Sequence, residues 1–292
     1  MDGLLIIDKP EGITSAQVVA VVKRRLSCKT GHLGTLDPFA TGVLPVCIGE
    51  GTKIAQFLNM ADKEYTGLIQ LGCATDTGDP TGSVVRTAPI PSQATARLTE
   101  IREGFLGEIL QVPPMYSAIK RKGTPLYKLA RQGLAVERQP RRVRISALEL
   151  AYQGPARIAF TVSCSKGTYV RVLAQQIATA LGTVGHLAAL RRTRFGRFTI
   201  GQAVRLDGLD SESLRCIPLR DSLSDLREIE LAASLVHRVR QGFEPVLASI
   251  PLGSRGETAK LVGSDGRLAA IIVMHESGRW RFARVFGQQT AA

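Results

Sequence analysis

Residues 31–42 read Gly31-His32-Leu33-Gly34-Thr35-Leu36-Asp37-Pro38-Phe39-Ala40-Thr41-Gly42. The segment is too glycine-rich for a helix and too irregular for a strand. Pro38 fixes its own φ, donates no N–H and biases Asp37 toward extended backbone. The segment therefore reads as an ordered loop with a single carboxylate at its turn. Two readings stand. Asp37 caps a turn, or the loop presents the carboxylate into a cleft. Spacing alone favours the first, so the flanking chain has to decide.

Upstream, Leu4 to Ile7 reads as a short buried strand and Asp8-Lys9-Pro10-Glu11-Gly12 as a turn. Thr14 and Gln17 are spaced as a capping box, and Val18, Val19, Val22 and Leu26 follow at helical spacing. Lys23-Arg24-Arg25 put cations at the negative end of that helix. Downstream, residues 43–48 read as a strand whose Pro45 predicts an edge or a bulge. A helix over 52–60 would turn Ile54, Phe57 and Leu58 inward. Tyr65, Gly67, Ile69 and Leu71 share one face of a strand. Residues 76–82 read as a loop, and a helix lined by Leu98, Ile101 and Phe105 starts near Ser92. Ile158, Phe160, Val162 and Cys164 alternate as a half-buried strand. If that strand continues, Tyr169 and Arg171 lie two apart on one face. Leu173, Ile177 and Leu181 mark a helix with Gly182 as C-cap. Residues 207–230 are acidic and read as a connection, with a short helix from Leu231 to Arg240 after it. Ser264-Asp265-Gly266 and Ser277-Gly278 then split short apolar runs, which predicts hairpins in a small β domain.

The chain has 292 residues, 44% hydrophobic and 22% charged, with a formal net charge of +13. That size suits one large domain, or a large one and a small one, and the charge favours a polyanionic partner, nucleic acid before acidic membrane. Clustering supports nucleic acid. Residues 120–144 hold nine basic side chains (Lys120, Arg121, Lys122, Lys128, Arg131, Arg138, Arg141, Arg142, Arg144) against Glu137 alone, with Tyr116 and Tyr127 interleaved. Arg191, Arg192, Arg194 and Arg197 form a second cluster. A solvated basic face is the plainer account of such runs, but few acids stand by to neutralise them, which favours a phosphate-binding surface. The start of the chain has no basic n-region and only a four-residue apolar run, so no signal peptide is expected. No run approaches a membrane span. The five cysteines are widely spaced, without a C-x-x-C, which fits a reducing cytoplasm and neither disulfides nor zinc.

Several chemistries fall away. The dipeptide Gly-Lys never occurs, so there is no Walker loop. Asp76-Thr77-Gly78 spells an aspartic-protease triplet, but that chemistry needs a second such Asp and none appears. The histidines, His32, His186, His237 and His275, lack ligand spacing. Asp76 and Asp79 read as a solvated loop more readily than as a cation site. What remains is one carboxylate on a glycine-rich loop with cationic and aromatic candidates elsewhere. Such a set suits nucleophilic or general-base chemistry on a sugar or base without metal or redox cofactor.

The loop, extended to Val43-Leu44-Pro45, closely resembles the catalytic motif of the TruB family of tRNA pseudouridine-55 synthases. Further blocks resemble that family in order: Leu5-Ile6-Ile7-Asp8-Lys9-Pro10-Glu11-Gly12, Asp62-Lys63-Glu64-Tyr65, residues 113–120 with Leu126-Tyr127, and Cys164-Ser165-Lys166-Gly167-Thr168-Tyr169-Val170-Arg171. Leu33 stands where many relatives have Thr. The resemblance implies an α+β pseudouridine-synthase fold, with a mixed, mainly antiparallel sheet flanked by helices. It also implies a catalytic domain over 1–228 and a small PUA-like RNA-binding β-barrel over 229–292. It implies that Asp37 is the catalytic aspartate, that Arg171 pairs with it and that Tyr65 stacks on the target uracil. Tyr169 would line the pocket and His32 support the flipped-out RNA. Lys9 would shape the site or contact RNA, and Tyr116 and Lys120 would bind substrate. The implied partner is the T-arm stem-loop of tRNA, with no membrane, no obligatory protein partner and a monomeric chain. The implied reaction needs no cofactor or metal. A guide-RNA-dependent relative and a tRNA-folding chaperone are the alternatives. Activity of the pure chain on tRNA separates the first, and folding rescue by Asp37→Ala bears on the second.

Overall fold

A computed structural model describes residues 1–292 except 59–60, 93–94, 118, 122, 211–213 and 288–292. Ala118 and Lys122 of the quoted stretches, and the end of the helix expected over 52–60, lie outside the described residues. The first half runs β1 (Gly3–Lys9), α1 (Ser15–Leu26), β2 (Thr30–His32), β3 (Thr41–Ile48), α2 (Ala55–Leu58), β4 (Lys63–Leu71), β5 (Cys73–Thr75), β6 (Val84–Thr87), α3 (Leu98–Phe105) and β7 (Gly107–Gln111). A small hairpin, β8 (Lys120–Arg121) and β9 (Thr124–Pro125), leads into α4 (Leu126–Arg131). Then come β10 (Arg141–Tyr152), β11 (Arg157–Cys164), α5 (Val170–Ala180), β12 (Gly185–Phe195) and β13 (Phe198–Thr199). After α6 (Leu219–Ser222) the chain adds β14 (Arg227–Glu230), α7 (Ala233–Arg240), β15 (Thr258–Val262), β16 (Leu268–Met274) and β17 (Trp280–Val285).

The main sheet has the order β1-β3-β12-β4-β11-β10-β7, with β2 beside β3 and β13 beside β12. β3 and β12 run parallel, and the other pairs are antiparallel. β1 explains its own unbroken apolar run. Leu5 and Ile7 face the core that α1, α3 and α5 cover, while Leu4 and Ile6 pack against Leu33, Val43 and Phe195 on the other side. A strand buried on both faces needs no polar alternation. The α1 capping box forms as its spacing predicts: the Gln17 N–H reaches Thr14 Oγ1 at 3.1 Å, and the Thr14 N–H reaches Gln17 Oε1 at 2.7 Å. Val18 and Val22 then bury against the sheet, each stabilising by roughly 1.5–3 kcal/mol.

Pro45 proves not to mark an edge of the sheet, because β3 lies inside it. The Pro45 carbonyl accepts from the Leu33 N–H at 2.9 Å. Its missing donor therefore faces the side where pairing with β12 ends at Gly42 and pairing with β2 begins at Val46. The proline occupies a gap between two partners. The loop reading of 31–42 also shortens at both ends, since β2 takes up Thr30–His32 and β3 starts at Thr41.

The C-terminal strands form a four-stranded sheet in the order β14-β15-β16-β17, parallel in its first pair and antiparallel after it. Both hairpin turns fall where expected. The described pairings do not close this sheet into a barrel, and β14 runs across the 228/229 boundary. Its core, including Val239, Leu247, Leu261 and Trp280, is its own. A seam of Ile54, Leu219, Leu223, Leu268, Ile271 and Phe286 joins it to the first unit. No described helix is long and apolar enough to cross a membrane.

Candidate active site

The loop between β2 and β3 is held on several sides. Ser15 Oγ donates to the Leu36 carbonyl at 3.0 Å and accepts from the Leu36 N–H at 2.9 Å. Lys9 Nζ donates to the carbonyls of Ile13 (2.7 Å), Pro10 (2.9 Å) and Pro38 (3.1 Å). The Gly12 N–H also reaches the Pro38 carbonyl, at 2.9 Å. These bonds satisfy backbone groups that the loop itself cannot pair. Lys9 is fully buried, and burial lowers its ammonium to about 8 against the pull of nearby Asp37. RNA contact is therefore not open to Lys9, which shapes the loop instead.

Asp37 faces a cavity of about 330 Å³ that Tyr65, Tyr116, Tyr169 and Arg171 also line. Arg171 grips it at two points, Nε to Oδ2 at 2.9 Å and Nη2 to Oδ1 at 3.4 Å. The same guanidinium donates to the Thr77 carbonyl at 2.8 Å and the Tyr116 carbonyl at 2.6 Å. It also pairs with buried Asp79 at 3.4 Å. Burial pushes the Asp37 carboxyl above the usual carboxylate range, while the Arg171 charge pulls it back. Desolvation outweighs the partner here, although an arginine partner alone favours the ionised form.

Tyr169 and Arg171 do not continue a strand. β11 ends at Cys164, Tyr169 is the N-cap of α5, and Arg171 sits in the helix's first turn. Buried Gln111 fixes the junction, its Oε1 accepting from the Tyr169 N–H at 2.9 Å. Gly182, with φ +83°, follows the helix end.

The far wall is cationic. Tyr65 is buried there, and burial raises its phenol. Arg192 lies beneath it, its guanidinium carbon 6.0 Å from the ring centroid. Arg192 is 1% exposed and donates to the carbonyls of Val43 and Gly34, both at 2.7 Å. Lys63 lines the same cavity, with Nζ 4.6 Å from the Phe195 centroid and donating to the Ala61 carbonyl.

The second basic cluster is thus largely committed to partners within the chain, although Arg197 stays exposed. Arg192 is internal, Arg191 pairs with Asp8 at 2.8 Å, Arg194 pairs with Glu64 at 3.6 Å, and Arg197 donates to the Asp221 carbonyl at 3.0 Å. His32 stands outside the cavity lining, on β2. Burial and the Arg192 charge lower its imidazole, and its buried Nδ1 has no hydrogen-bond partner among the described residues. Lys120 lies on the exposed β8–β9 hairpin, also outside the lining. Asp79 is a correction. It is no solvated loop residue: it is buried and accepts from the Thr77 and Thr81 hydroxyls at 2.7 and 2.6 Å. Sequence reasoning also gave no site role to Lys63 or Arg192. The Thr77-x-Asp79-x-Thr81 spacing, which suits local side-chain capping, was the available signal for Asp79.

A family model described as TruB family pseudouridylate synthase (N terminal domain) matches residues 22–170, and one described as tRNA pseudouridylate synthase B C-terminal domain matches 171–228. Their junction falls between Val170 and Arg171, so both matches contribute to the cavity. Fold and site together define a pseudouridylate synthase. Curated relatives called tRNA pseudouridine synthase B include that of Psychrobacter cryohalolentis, 45% identical over 83% of this chain and 70% of the relative. That of Geotalea uraniireducens is 41% identical over 97% of this chain and 95% of the relative. The chain belongs to the TruB family. Among solved structures, an H/ACA ribonucleoprotein bound to a substrate RNA containing 2′-deoxyuridine matches in fold with a TM-score of 0.70 at 24% identity, over 98% of this chain and 85% of that one. A Cbf5-Nop10-Gar1 complex matches with a TM-score of 0.69 at 26% identity, over 97% of this chain and 84% of that one.

Proposed function

We propose that the chain isomerises uridine to pseudouridine at position 55 in the T loop of tRNA. The observation that carries this reading is the two-point Asp37–Arg171 pair opening into the cavity that Tyr65 lines. The relatives called tRNA pseudouridine synthase B, at 41–45% identity, support a tRNA substrate. The likeness to the H/ACA ribonucleoprotein and the Cbf5-Nop10-Gar1 complex is weaker in sequence.

The reaction breaks N1–C1′, turns the uracil and joins C5 to C1′, with no net oxidation and no cofactor. Asp37 attacks C1′ or removes the C2′ proton, and both routes need the carboxylate. Arg171 orients it. The face of Tyr65 holds the detached base, a stack worth roughly 1–3 kcal/mol, and Tyr169 and Tyr116 wall the pocket. The uridine has to leave its loop, at a cost of a few kcal/mol. His32, whose buried Nδ1 lacks a partner among the described residues, supports the displaced RNA. Phosphate contacts from Lys120 and the rest of the 120–144 stretch offset the extrusion. Residues 1–228 catalyse, the unit from 229 binds RNA, and the chain acts as a cytoplasmic monomer without a protein partner.

The test is Asp37→Ala on a T-arm transcript, which should form no pseudouridine while binding the RNA as tightly as before. Product from this variant would overturn the assignment.

A further inference from the structure

The charges of the cavity are sorted. On the Asp37 side, the Arg171 guanidinium pairs with two carboxylates, Asp37 and Asp79, and the buried Lys9 ammonium stands near Asp37, so positive and negative charges balance. On the Tyr65 side, Lys63 and Arg192 are both buried, and among the described residues neither has an ion-pair partner. Asp62, next to Lys63 in sequence, acts on it only through space. Burying a charge without a counter-charge is costly, so two such cations on one wall call for an anion supplied from outside. Arg192 is committed to the carbonyls of Val43 and Gly34 and serves as a fixed background charge. Lys63 is less committed. Its ammonium has three donors; one goes to the Ala61 carbonyl, and the charge rests over the Phe195 ring. Lys63 and Tyr65 are two apart on β4 and face the same way.

This polarity matches the proposed bond cleavage, on which the inference rests. When N1–C1′ breaks, its electron pair goes to the uracil, and negative charge spreads onto O2 and O4. C1′ takes an electron pair from the Asp37 carboxylate or from the C2′–H bond. On rejoining, C5 gives a pair to C1′ as the Asp37–C1′ bond breaks back to the free carboxylate, or as the carboxyl returns the abstracted proton to C2′; C5 then loses its proton and N1 gains one. We propose that Lys63 is a catalytic residue whose Nζ–H donates a hydrogen bond to a uracil oxygen and holds the leaving group's charge until the base is reattached. Lys63 transfers no proton. The wall is preorganised for charge that exists only after cleavage, which is where such donors act most strongly.

The Lys63 ammonium is lowered to about 8, chiefly by burial and in part by the charges of Arg192 on β12 and Lys166 after β11, with Cys164 on β11 and Asp62 pulling the other way. The rate should therefore fall as pH rises through about 8.

The experiment measures single-turnover loss of the starting nucleoside, rather than pseudouridine formation, on T-arm RNA carrying uridine or 5-fluorouridine (which has fluorine in place of the C5 proton) at the target, together with RNA affinity and thermal midpoints. Lys63→Met should slow uridine turnover by roughly 10²–10³-fold with RNA affinity nearly unchanged. On 5-fluorouridine, whose ring carries negative charge more easily, the deficit should shrink at least tenfold. Lys63→Arg keeps its charge and should move the alkaline limb to higher pH. If Lys63→Met does not fold, that limb decides. Equal deficits on both substrates, no deficit, or affinity falling in proportion to rate (the mark of a phosphate-binding lysine) would overturn the role, as would an unmoved limb in Lys63→Arg. A wild-type chain that makes no pseudouridine would instead overturn the underlying reading.

Discussion

Arg171 is held by two backbone carbonyls and two carboxylates, so Asp37 is only one of several groups that fix its orientation. Asp79 takes the opposite side of the guanidinium. Asp79→Ala leaves a buried charge short of a partner and should cost about 3 kcal/mol on chemical denaturation while slowing isomerisation. An unchanged denaturation midpoint would show that the pair contributes nothing. On the proposed reaction Asp37 sets the acid side of the rate. Its carboxyl lies above the ordinary range because burial penalises the charge, and the proposed step uses the ionised form. Activity should therefore decline on acidification at a pH higher than the value of about 4 typical of an exposed aspartate. A single-turnover pH profile still flat down to about 4 would contradict this. At this scale the sequence was legible where a motif names the atom. Asp37, Tyr65, Tyr116, Tyr169 and Arg171 do meet in one cavity. It was illegible where burial decides, as for Lys9, whose charge suggests a surface role and whose position excludes one.

Among the elements, β12 does most to build the site. It is parallel to β3 through Thr41 and Gly42 and antiparallel to β4 along nearly its whole length. An irregularity between Arg192 and Arg194 separates the inward arginine from its ion-paired neighbour. The approach to β3 requires a glycine. Gly42 has φ +98°, and a Cβ there would lie 2.2 Å from the Arg192 carbonyl oxygen. Gly42→Ala should destabilise the chain by about 2–4 kcal/mol, read in the denaturant midpoint. A shift under about 0.5 kcal/mol would show that the strands part freely. Local elements were the legible ones. The α1 box needs only three residues of separation, and the hairpin turns need two or three. The strand extrapolated through Tyr169 failed because the chain leaves β11 at Cys164, turns at Gly167 with φ +82°, and enters a helix. Arg192 was hidden for the opposite reason, since its carbonyl partners lie 149 and 158 residues away.

Over the whole molecule, the net charge of +13 is unevenly distributed. Of the second cluster Arg192 is buried and Arg191 and Arg194 are ion-paired, leaving Arg197 exposed, whereas Lys120, Arg121 and Arg142 stay exposed along 120–144. RNA affinity should thus fall steeply between about 50 and 200 mM salt. Replacing Lys120 and Arg121 with Ala should lower the slope of log affinity against log salt by about one for each phosphate that the chain no longer neutralises. An unchanged slope would move the binding surface elsewhere. The division into two units was legible from the hairpin signals, but the strand order of the second was not, because it depends on pairings that no local pattern records. The first strand has one further consequence. β1 is bridged to Val204 and Ile217, and Asp37 meets an arginine 134 residues further on. A ribosome must finish almost the entire first unit before the catalytic pocket exists. Such distant closures fold slowly, so until residue 217 has emerged the nascent chain holds an open apolar strand edge at its start. The interval before first activity is thus a clock for completed synthesis of that unit.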